Sequence, residues 1–443
     1  MRWPGRPRCS APASPALVCL SVLALVACSS TPTATFTITT GDEADALTRF
    51  PAPTTLIVQA LDVDGNAQEL ARSALPTDEL SLGEKSRTDV GALRILAIDA
   101  AGKTLLRGET LYVQFGALEN SPLGVFLQRT GELARMPAST LALDAPRLGI
   151  AVARYVVAAS GTAIAVYDLL RLTTLAGLPA LPRPARSLVT FGTAAIVIDE
   201  AGATTVDLST NATSDLAAPA GITFAEIAGG ATVTLPDGSA YVVGGTRATG
   251  GPSARVLVIG KDGTVGFATL ATPREGACAT WVDGRGLVVM GGSATGPGVE
   301  VLAPGATQSA ALAYAPDEVK GCGASSLDAS HVLVAGGTGY PAATGGAAPA
   351  RVLDLACAAA CVPSVWPGLM PLVRADSFTL AQGAVLVAGD DEVGASRAFR
   401  ATAEGTTEIA VKAPRRGARL VALPIKGTAA LVGGTAPIEQ YLE

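Results

Sequence analysis

Val332-Leu333-Val334-Ala335-Gly336-Gly337 is one of five short apolar runs in the second half of the chain that end in a Gly-Gly or Gly-Asp step. The other four steps are Gly244-Gly245, Gly291-Gly292, Gly389-Asp390 and Gly433-Gly434. Between their second residues the intervals are 47, 45, 53 and 44 residues. Strand repeats of roughly 40 to 50 residues are typical of β-propeller blades. The period therefore predicts an all-β propeller rather than a helical solenoid.

The repeat extends over seven units. Six complete units begin near Arg147, Ser187, Ile227, Gly276, Cys322 and Ala375, and a short seventh runs from Leu420 to Glu443. In the first two units, the apolar runs 155–160 and 194–199 stand in the place of the Gly-Gly strand. A propeller leaves strand edges exposed unless its ring closes. We therefore predict a seven-bladed propeller over residues 119–443, closed by residues 121–137 with 420–443.

The unit around Gly336-Gly337 resembles the kelch repeat, in which a buried strand and Gly-Gly precede a variable loop, a Trp and a Met-Pro or Pro-Arg segment. Here Trp366 is followed by Met370-Pro371 and Arg374. The resemblance covers most of residues 120–443 and implies a kelch-like propeller. The oxidase branch of these propellers resembles galactose oxidase, which holds copper with two histidines and two tyrosines. His331 is the single histidine of this sequence, which excludes that copper site.

The first 27 residues have the features of a lipoprotein signal peptide. Three arginines precede the apolar stretch 16–24, which is too short to span a bilayer as a helix. It ends in Leu25-Val26-Ala27-Cys28, which resembles the bacterial lipoprotein cleavage box. The resemblance implies cleavage before Cys28 and diacylation of its sulfur, so that residues 28–34 form a lipid-anchored tether. The alternative is an ordinary signal peptide with a chance cysteine.

The expected location and the net charge of the processed chain limit the classes of partner that it can bind. Ser29 follows Cys28, and in that lipoprotein class the absence of Asp at this position implies the outer membrane, on either its periplasmic or its cell-surface face. Removal of residues 1–27 leaves 29 basic and 38 acidic residues, a net charge of −9. The sequence contains no block of Lys and Arg, which argues against nucleic acid as a partner. The expected partners are the lipid bilayer, through acylated Cys28, and an envelope or extracellular protein.

Residues 35–118 predict a separate β unit. The predicted strands are 35–39, 55–60, 92–98 and 111–115, with hairpin turns at 62–66 and 99–103. This spacing suggests a small antiparallel β-sandwich, immunoglobulin-like or transthyretin-like in shape. In the turn Asp62-Val63-Asp64-Gly65-Asn66 the glycine comes too early for a helix-flanked calcium loop, so we interpret it as a plain turn.

Four cysteines remain in the processed chain besides Cys28. An even number in an exported protein indicates disulfides. Cys278 and Cys322 occupy equivalent positions in adjacent units, and three alanines separate Cys357 from Cys361. We predict the pairs Cys278–Cys322 and Cys357–Cys361. The alternatives are free thiols or a metal site, which would lack histidine partners.

The sequence offers little catalytic chemistry. A Ser-His-Asp triad would have to use His331, and no Gly-x-Ser-x-Gly motif or phosphate-binding loop is present. We predict no catalytic residue, no metal and no cofactor. The candidate binding residues lie in loops that follow the Gly-Gly strands. They are Arg247, Tyr340, Asp390, Asp391 and Glu392, the last three forming an acidic cluster whose alternatives are a cation site and a solvated loop.

Two functions follow from these observations. The first is a non-catalytic envelope lipoprotein whose propeller is a scaffold or binding module for another protein. The alternative is an extracellular glycan-binding or glycan-degrading protein that uses acidic loop residues. A central channel lined by Gly, Ala, Ser and Thr would favour the scaffold, whereas facing carboxylates with adjacent aromatics would favour the enzyme.

Overall fold

The computed structural model of the chain describes residues 36–76, 89–114, 123–141, 143, 148–247, 249–340, 346–380 and 383–443. Within these ranges the chain consists of β-strands and loops, with one 3-10 helix at Phe224–Ile227. The all-β architecture, built mainly of four-stranded antiparallel sheets, is consistent with a β-propeller-like fold. The predicted signal peptide, Cys28 and the tether lie outside the described residues. No helix in the described part of the chain has the length and apolarity to cross a membrane.

The N-terminal unit contains two sheets. Its strands are β1 (Phe36–Thr39), β2 (Thr55–Leu61), β3 (Ala67–Ala74), β4 (Val90–Ile98), β5 (Thr104–Glu109), β6 (Val113–Gln114), β7 (Leu123–Phe126) and β8 (Gln128–Arg129). Five strands form an antiparallel sheet in the order β3-β2-β4-β5-β8, and β6 pairs with β4. β1 and β7 pair in parallel, whereas the sequence predicted antiparallel strands only. The N-terminal unit also includes residues 123–129, which lie beyond the predicted boundary at residue 118.

Seven four-stranded antiparallel sheets follow in the described part of the chain. Sheet 1 is β10 (Leu148–Val152), β11 (Tyr155–Ser160), β12 (Ala163–Asp168) and β13 (Thr173–Thr174); sheet 2 is β14 (Ser187–Phe191), β15 (Ala194–Ile198), β16 (Ala203–Asp207) and β17 (Ala212–Asp215). Sheet 3 is β18 (Ala231–Thr234), β19 (Ala240–Val243), β20 (Ser253–Ile259) and β21 (Val265–Arg274); sheet 4 is β22 (Cys278–Val282), β23 (Gly286–Met290), β24 (Val299–Leu302) and β25 (Ala310–Ala311).

The last three sheets have the same design. Sheet 5 is β26 (Gly323–Ser326), β27 (His331–Ala335), β28 (Arg351–Asp354) and β29 (Ser364–Val365); sheet 6 is β30 (Arg374–Thr379), β31 (Val385–Asp390), β32 (Ser396–Thr402) and β33 (Gly405–Ile409). Sheet 7 is β34 (Arg419–Ala422), β35 (Thr428–Val432), β36 (Pro437–Leu442) and, from the other end of the repeat region, β9 (Leu133–Thr140). The first strand of each sheet contacts the first strand of the next, and β34 contacts β10.

The segment 121–137, predicted to complete the last sheet, is divided between two units. Leu133 pairs with Tyr441 and Ala134 with Gln440, so its C-terminal part lies on sheet 7. Its earlier residues form β7 and β8, which pair with strands of the N-terminal unit. The chain therefore passes directly from the N-terminal sheets into sheet 7, and the two units share one short segment.

The second strand of each sheet is buried on both faces. The strands β23, β27 and β35 are buried almost throughout, as their unbroken apolar sequences require. The glycines that follow them sit where the backbone is crowded. At Gly337, which has φ 98°, an added Cβ would lie 2.5 Å from Val319 Cγ1 and 2.8 Å from the Lys320 carbonyl oxygen. The Gly-Gly period thus marks positions that exclude a side chain.

Two fully buried ion pairs lie at equivalent places in sheets 4 and 7. Arg274 Nη2 is 2.8 Å from Glu300 Oε1, and Arg415 Nη2 is 2.6 Å from Glu439 Oε1. All four side chains have 0% exposure. Each arginine lies just before the first strand of a sheet, Arg274 as the last residue of β21 in sheet 3. Each glutamate lies on the third strand of the following sheet, opposite the second residue before the Gly-Gly step. The pairs fasten the start of a sheet to its third strand.

Sheet 5 contains the same pair with its charges exchanged. Arg351 lies on the third strand, in register with Val334, just as Glu300 is in register with Val289. Its Nη2 donates to Asp317 Oδ2 at 2.7 Å, and Asp317 lies in the segment leading into β26. In sheets 4, 5 and 7 this third-strand position therefore carries a paired charge, negative in sheets 4 and 7 and positive in sheet 5. The equivalent residues of sheets 3 and 6 are the apolar Leu257 and Phe399.

Candidate functional site

The candidate binding residues lie at the end of a second strand, as Asp390 does in β31, or in the loops that follow second strands. Backbone hydrogen bonds connect the entrances of neighbouring sheets beside these loops: the amides of Gly276, Gly321 and Ala375 donate to the carbonyls of Gly244, Gly276 and Gly321 at 2.8, 3.0 and 3.0 Å. First and second strands are antiparallel, so the entrance of a sheet lies beside the end of its second strand. The loops of sheets 3 to 6 therefore project on the same side of the molecule, which we call the loop face.

Arg247 closes its own loop. Its side-chain Nε donates to the Pro252 carbonyl at 2.8 Å, and its amide donates to the Gly251 carbonyl at 2.9 Å. The Gly250 amide donates back to the Arg247 carbonyl at 2.8 Å. Arg247 is exposed, so its guanidinium both shapes the loop and remains open to solvent.

Tyr340 packs against the charged pair of sheet 5. The Arg351 guanidinium carbon lies 5.4 Å from the centre of the Tyr340 ring, within the range of a cation–π contact. Arg351 is buried and its other partner is Asp317. Tyr340 thus acts as a half-exposed cover over a buried guanidinium. Residues 341–345 of the same predicted loop lie outside the described residues.

Two residues of the acidic cluster, Asp390 and Asp391, have partners within the protein, and the third, Glu392, faces solvent. Asp390 accepts hydrogen bonds from Arg374 Nη2 at 3.1 Å, from Ser396 Oγ at 2.8 Å and from the Gly417 amide at 3.2 Å. Asp391 accepts from the Val393 and Ala395 amides and from Arg397 Nε. Glu392 is exposed in the turn.

These partners explain the electrostatics of the cluster. The hydrogen bond from the Ala395 amide has the largest effect and lowers the pKa of Asp391, burial opposes it, and the Arg397 guanidinium lowers the pKa further. Two of the three acids are therefore committed to holding the loop. Nowhere in the described ranges do three or more His, Cys, Asp or Glu side chains come together as a metal site would require.

Small hydroxyl side chains connect the first strands to one another. Thr190 Oγ1 donates to the Ala151 carbonyl at 3.2 Å, and Thr232 Oγ1 donates to the Leu188 carbonyl at 2.8 Å. On the other side of the molecule, Ser325 Oγ donates to Ser377 Oγ at 2.8 Å. These bonds cross from sheet to sheet, so they stabilise the packing of the first strands.

A charged group on the first strands of sheets 6 and 7 was not identified from the sequence. Arg419 Nη2 is 2.8 Å from Asp376 Oδ1, and the Leu420 amide donates to Asp376 Oδ2 at 3.0 Å. Arg374 Nη1 is 3.6 Å from Asp376 Oδ2. The only available signal was Arg374 in the Pro-Arg position of the repeat, because Asp376 and Arg419 are 43 residues apart and meet only through strand packing.

His331 begins β27, at the end of that strand opposite the loop face. Its ring Nδ1 lies 2.9 Å from Asp328 Oδ2, and the Asp328 carboxylate also accepts the amides of Ser330 and His331. The Ser330 amide and the His331 ring lower the pKa of Asp328. The pair therefore forms an exposed turn at the base of a hairpin, as predicted from the sequence around Asp328-Ala329.

Both predicted cysteine pairs lie at disulfide distance. The Cα atoms of Cys278 and Cys322 are 5.5 Å apart, and those of Cys357 and Cys361 are 5.8 Å apart. The first pair joins the entrances of sheets 4 and 5, next to the backbone bonds that connect the loop face. The second closes a short loop before β29.

Trp366 connects two sheets. Its Nε1 donates to Thr406 Oγ1 on β33 at 3.2 Å, and its ring packs against the core between sheets 5 and 6.

No protein-family model matches the chain, and a search of curated proteins finds no relative.

Proposed function

We propose that the chain is a lipid-anchored, non-catalytic binding module of the outer membrane. In this proposal the repeat region is a closed seven-bladed kelch-like propeller, and its loop face binds another envelope or extracellular protein. The contact between β34 and β10 supports a ring, since these are the first strands of the last and first sheets. β9 supports it further, because it gives sheet 7 the fourth strand that residues 419–443 lack.

The observation that carries the proposal is the loop face itself. Loops from four consecutive sheets project together from entrances joined by the Gly244, Gly276 and Gly321 backbone bonds and by the Cys278–Cys322 pair. Variable loops on a fixed framework are the usual place for macromolecular recognition. Asp390 and Asp391 are already paired with arginines, so neither carboxylate is free for the acid role in glycoside hydrolysis.

Site-specific photo-crosslinking in intact cells tests the loop face. A photoreactive amino acid at Arg247 or Tyr340 should give a discrete crosslinked product, because both side chains reach solvent on that face. The matched control is the same substitution at Asp262, an exposed turn residue at the opposite end of sheet 3. Equal crosslinking from Asp262, or none from either loop position, would contradict the assignment of this face to a partner.

The lipid anchor has a separate test. Cys28→Ser removes the sulfur that diacylation requires, so the variant should fail to incorporate labelled palmitate and should leave the outer-membrane fraction. Cys278→Ser, which alters a cysteine of the propeller, is the control and should retain the label. Palmitate incorporation by the Cys28→Ser variant would show that the acylation site is wrong.

A further inference from the structure

Asp376 and Arg419 lie at a position of the first strands that carries no charge in sheets 3 to 5. In each sheet that has a glycine step, one residue of the first strand pairs with the last residue of the second strand before that step. In sheets 3 to 7 this first-strand residue is Ala231, Cys278, Gly323, Asp376 and Arg419, respectively. Only the last two carry charge, and they lie on adjacent strands. The stem of Arg419 crosses Gly149 of β10, whose added Cβ would lie 3.3 Å from Arg419 Cβ. The stem of Arg419 therefore packs against the first strand of sheet 1.

Two guanidinium groups near this position have donors without acceptors. In the described part of the chain, Arg374 Nη1 is buried and has no hydrogen-bond partner. Arg419 contacts Asp376 through Nη2, and no hydrogen bond from its Nε or Nη1 to a described residue is present. Its side chain is 32% exposed, so part of it reaches solvent.

The nearby acids offer these donors no acceptor at hydrogen-bond distance, since Arg374 Nη1 is 3.6 Å from Asp376 Oδ2. Asp376 Oδ1 is occupied by Arg419 and Oδ2 by the Leu420 amide. Asp390 accepts from Arg374, Ser396 and Gly417, and lies on the far side of Arg374. Burial among protein atoms lowers the pKa of Arg419, Asp376 opposes this shift, and the positive charge of Arg374 adds to it. An added anion would relieve both the burial cost and the repulsion between the two arginines.

We propose that Arg419 and Arg374 form a carboxylate-binding site on the first strands of sheets 6 and 7, which takes an acidic side chain of the partner. This inference rests on the proposed function, since it specifies the chemistry of the same protein partner. A guanidinium presents its donors in a planar fork that matches a carboxylate. Asp376 lies within the group and disfavours a dianion such as phosphate, because like charges at this distance repel.

Peptide binding measured by NMR tests the site. The probe is the tripeptide acetyl-Gly-Glu-Gly-amide, and the same peptide with Gln in place of Glu is its uncharged match. The folded wild type should bind the Glu peptide with a dissociation constant in the millimolar range and the Gln peptide at least tenfold more weakly. Arg419→Gln should weaken binding of the Glu peptide at least tenfold. Arg416→Gln, which alters an exposed arginine three residues away, should leave it unchanged.

Asp376 provides a second variant that keeps the test decisive. Asp376→Asn should tighten binding of the Glu peptide, because it frees Arg419 Nη2 and removes a repelling charge. If Arg419→Gln alone fails to fold, the double variant Arg419→Gln with Asp376→Asn removes both charges and should show the loss of binding. Equal affinity of the wild type for the two peptides, or undiminished binding after loss of Arg419, would overturn the site.

The cellular crosslinking separates this inference from the proposed function. Loss of peptide binding in Arg419→Gln together with loss of the Tyr340 crosslink is the expected result. Loss of peptide binding with an unchanged crosslink would uphold the carboxylate site and overturn its assignment to that partner. If the wild type gives no crosslink but binds the Glu peptide selectively, the loop-face proposal fails while the site stands.

Discussion

Replacing Leu133 with Asp is expected to destabilise all seven sheets together, by at least about 4 kcal/mol. Leu133 is 1% exposed on β9 and packs in a core cluster with Leu386, Leu431 and Tyr441. The substitution removes the apolar contacts and buries a carboxylate without a partner, two costs that add. In the proposed ring the loss of one sheet exposes the edges of its neighbours, so the damage extends beyond sheet 7.

Trp281 and Trp366, the two tryptophans within the described residues, report whether this occurs. Trp281 lies in sheet 4, and Trp366 connects sheets 5 and 6, both outside sheet 7. In a urea titration of Leu133→Ala, a milder variant expected to cost about 2–5 kcal/mol, the tryptophan fluorescence and the circular dichroism should shift together. Thr213→Ala, on the exposed outer strand of sheet 2, should shift neither signal by more than about 0.5 kcal/mol. A tryptophan transition unaffected by Leu133→Ala would contradict ring closure.

Glu300→Gln is expected to lower the free energy of unfolding by about 3–5 kcal/mol, although it changes one atom of the side chain. Glu300 Oε1 accepts from Arg274 and from the Thr272 amide, and Oε2 accepts from the Ala271 amide at 2.7 Å and from Ser309. Because both oxygens accept hydrogen bonds, an amide must point its NH₂ group at a donor. The substitution also leaves the Arg274 charge buried and unbalanced.

The matched control is Glu408→Gln on β33. Glu408 pairs with Arg397 at 3.1 Å, but both side chains are largely exposed, so the loss should stay below about 1 kcal/mol. Replacing the whole buried pair, as Arg274→Met with Glu300→Leu, should cost less than Glu300→Gln alone, since no charge remains unpaired. Unfolding midpoints in urea measure all three variants. A Glu300→Gln midpoint equal to that of Glu408→Gln would show that the buried pair does not contribute as argued.

Much of the sheet pattern could be predicted from the sequence because the Gly-Gly period is local. Each doublet fixes the end of one second strand, and the runs 155–160 and 194–199 do form second strands, β11 and β15, without the doublet. The pairing of β7 with β1 could not be predicted, since two four-residue strands 84 residues apart carry no mutual signal. The same holds for β8, whose two residues complete the sheet of the N-terminal unit.

The candidate site was predictable only in part, for a related reason. The loops were placed by the repeat, and their exposed residues Arg247, Tyr340 and Glu392 lie where the period puts them. The partners of Asp390 and Asp391 were not predictable, because Arg374 and Arg397 approach them across neighbouring strands. Arg419 was missed because its role depends on a neighbour from another sheet. Charge pairs between strands follow from packing, which no local pattern encodes.

The exchanged charges of sheet 5 bear on how such a chain avoids assembling in the wrong order. The seven sheets share one backbone plan, so a third strand from one sheet has nearly the right shape for another. If β24 entered sheet 5, Glu300 would face Asp317; if β28 entered sheet 4, Arg351 would face Arg274. Either exchange would bring two like charges together in place of a matched pair, which is unfavourable. The opposite charges of Glu300 and Arg351 thus disfavour an exchange of these two third strands.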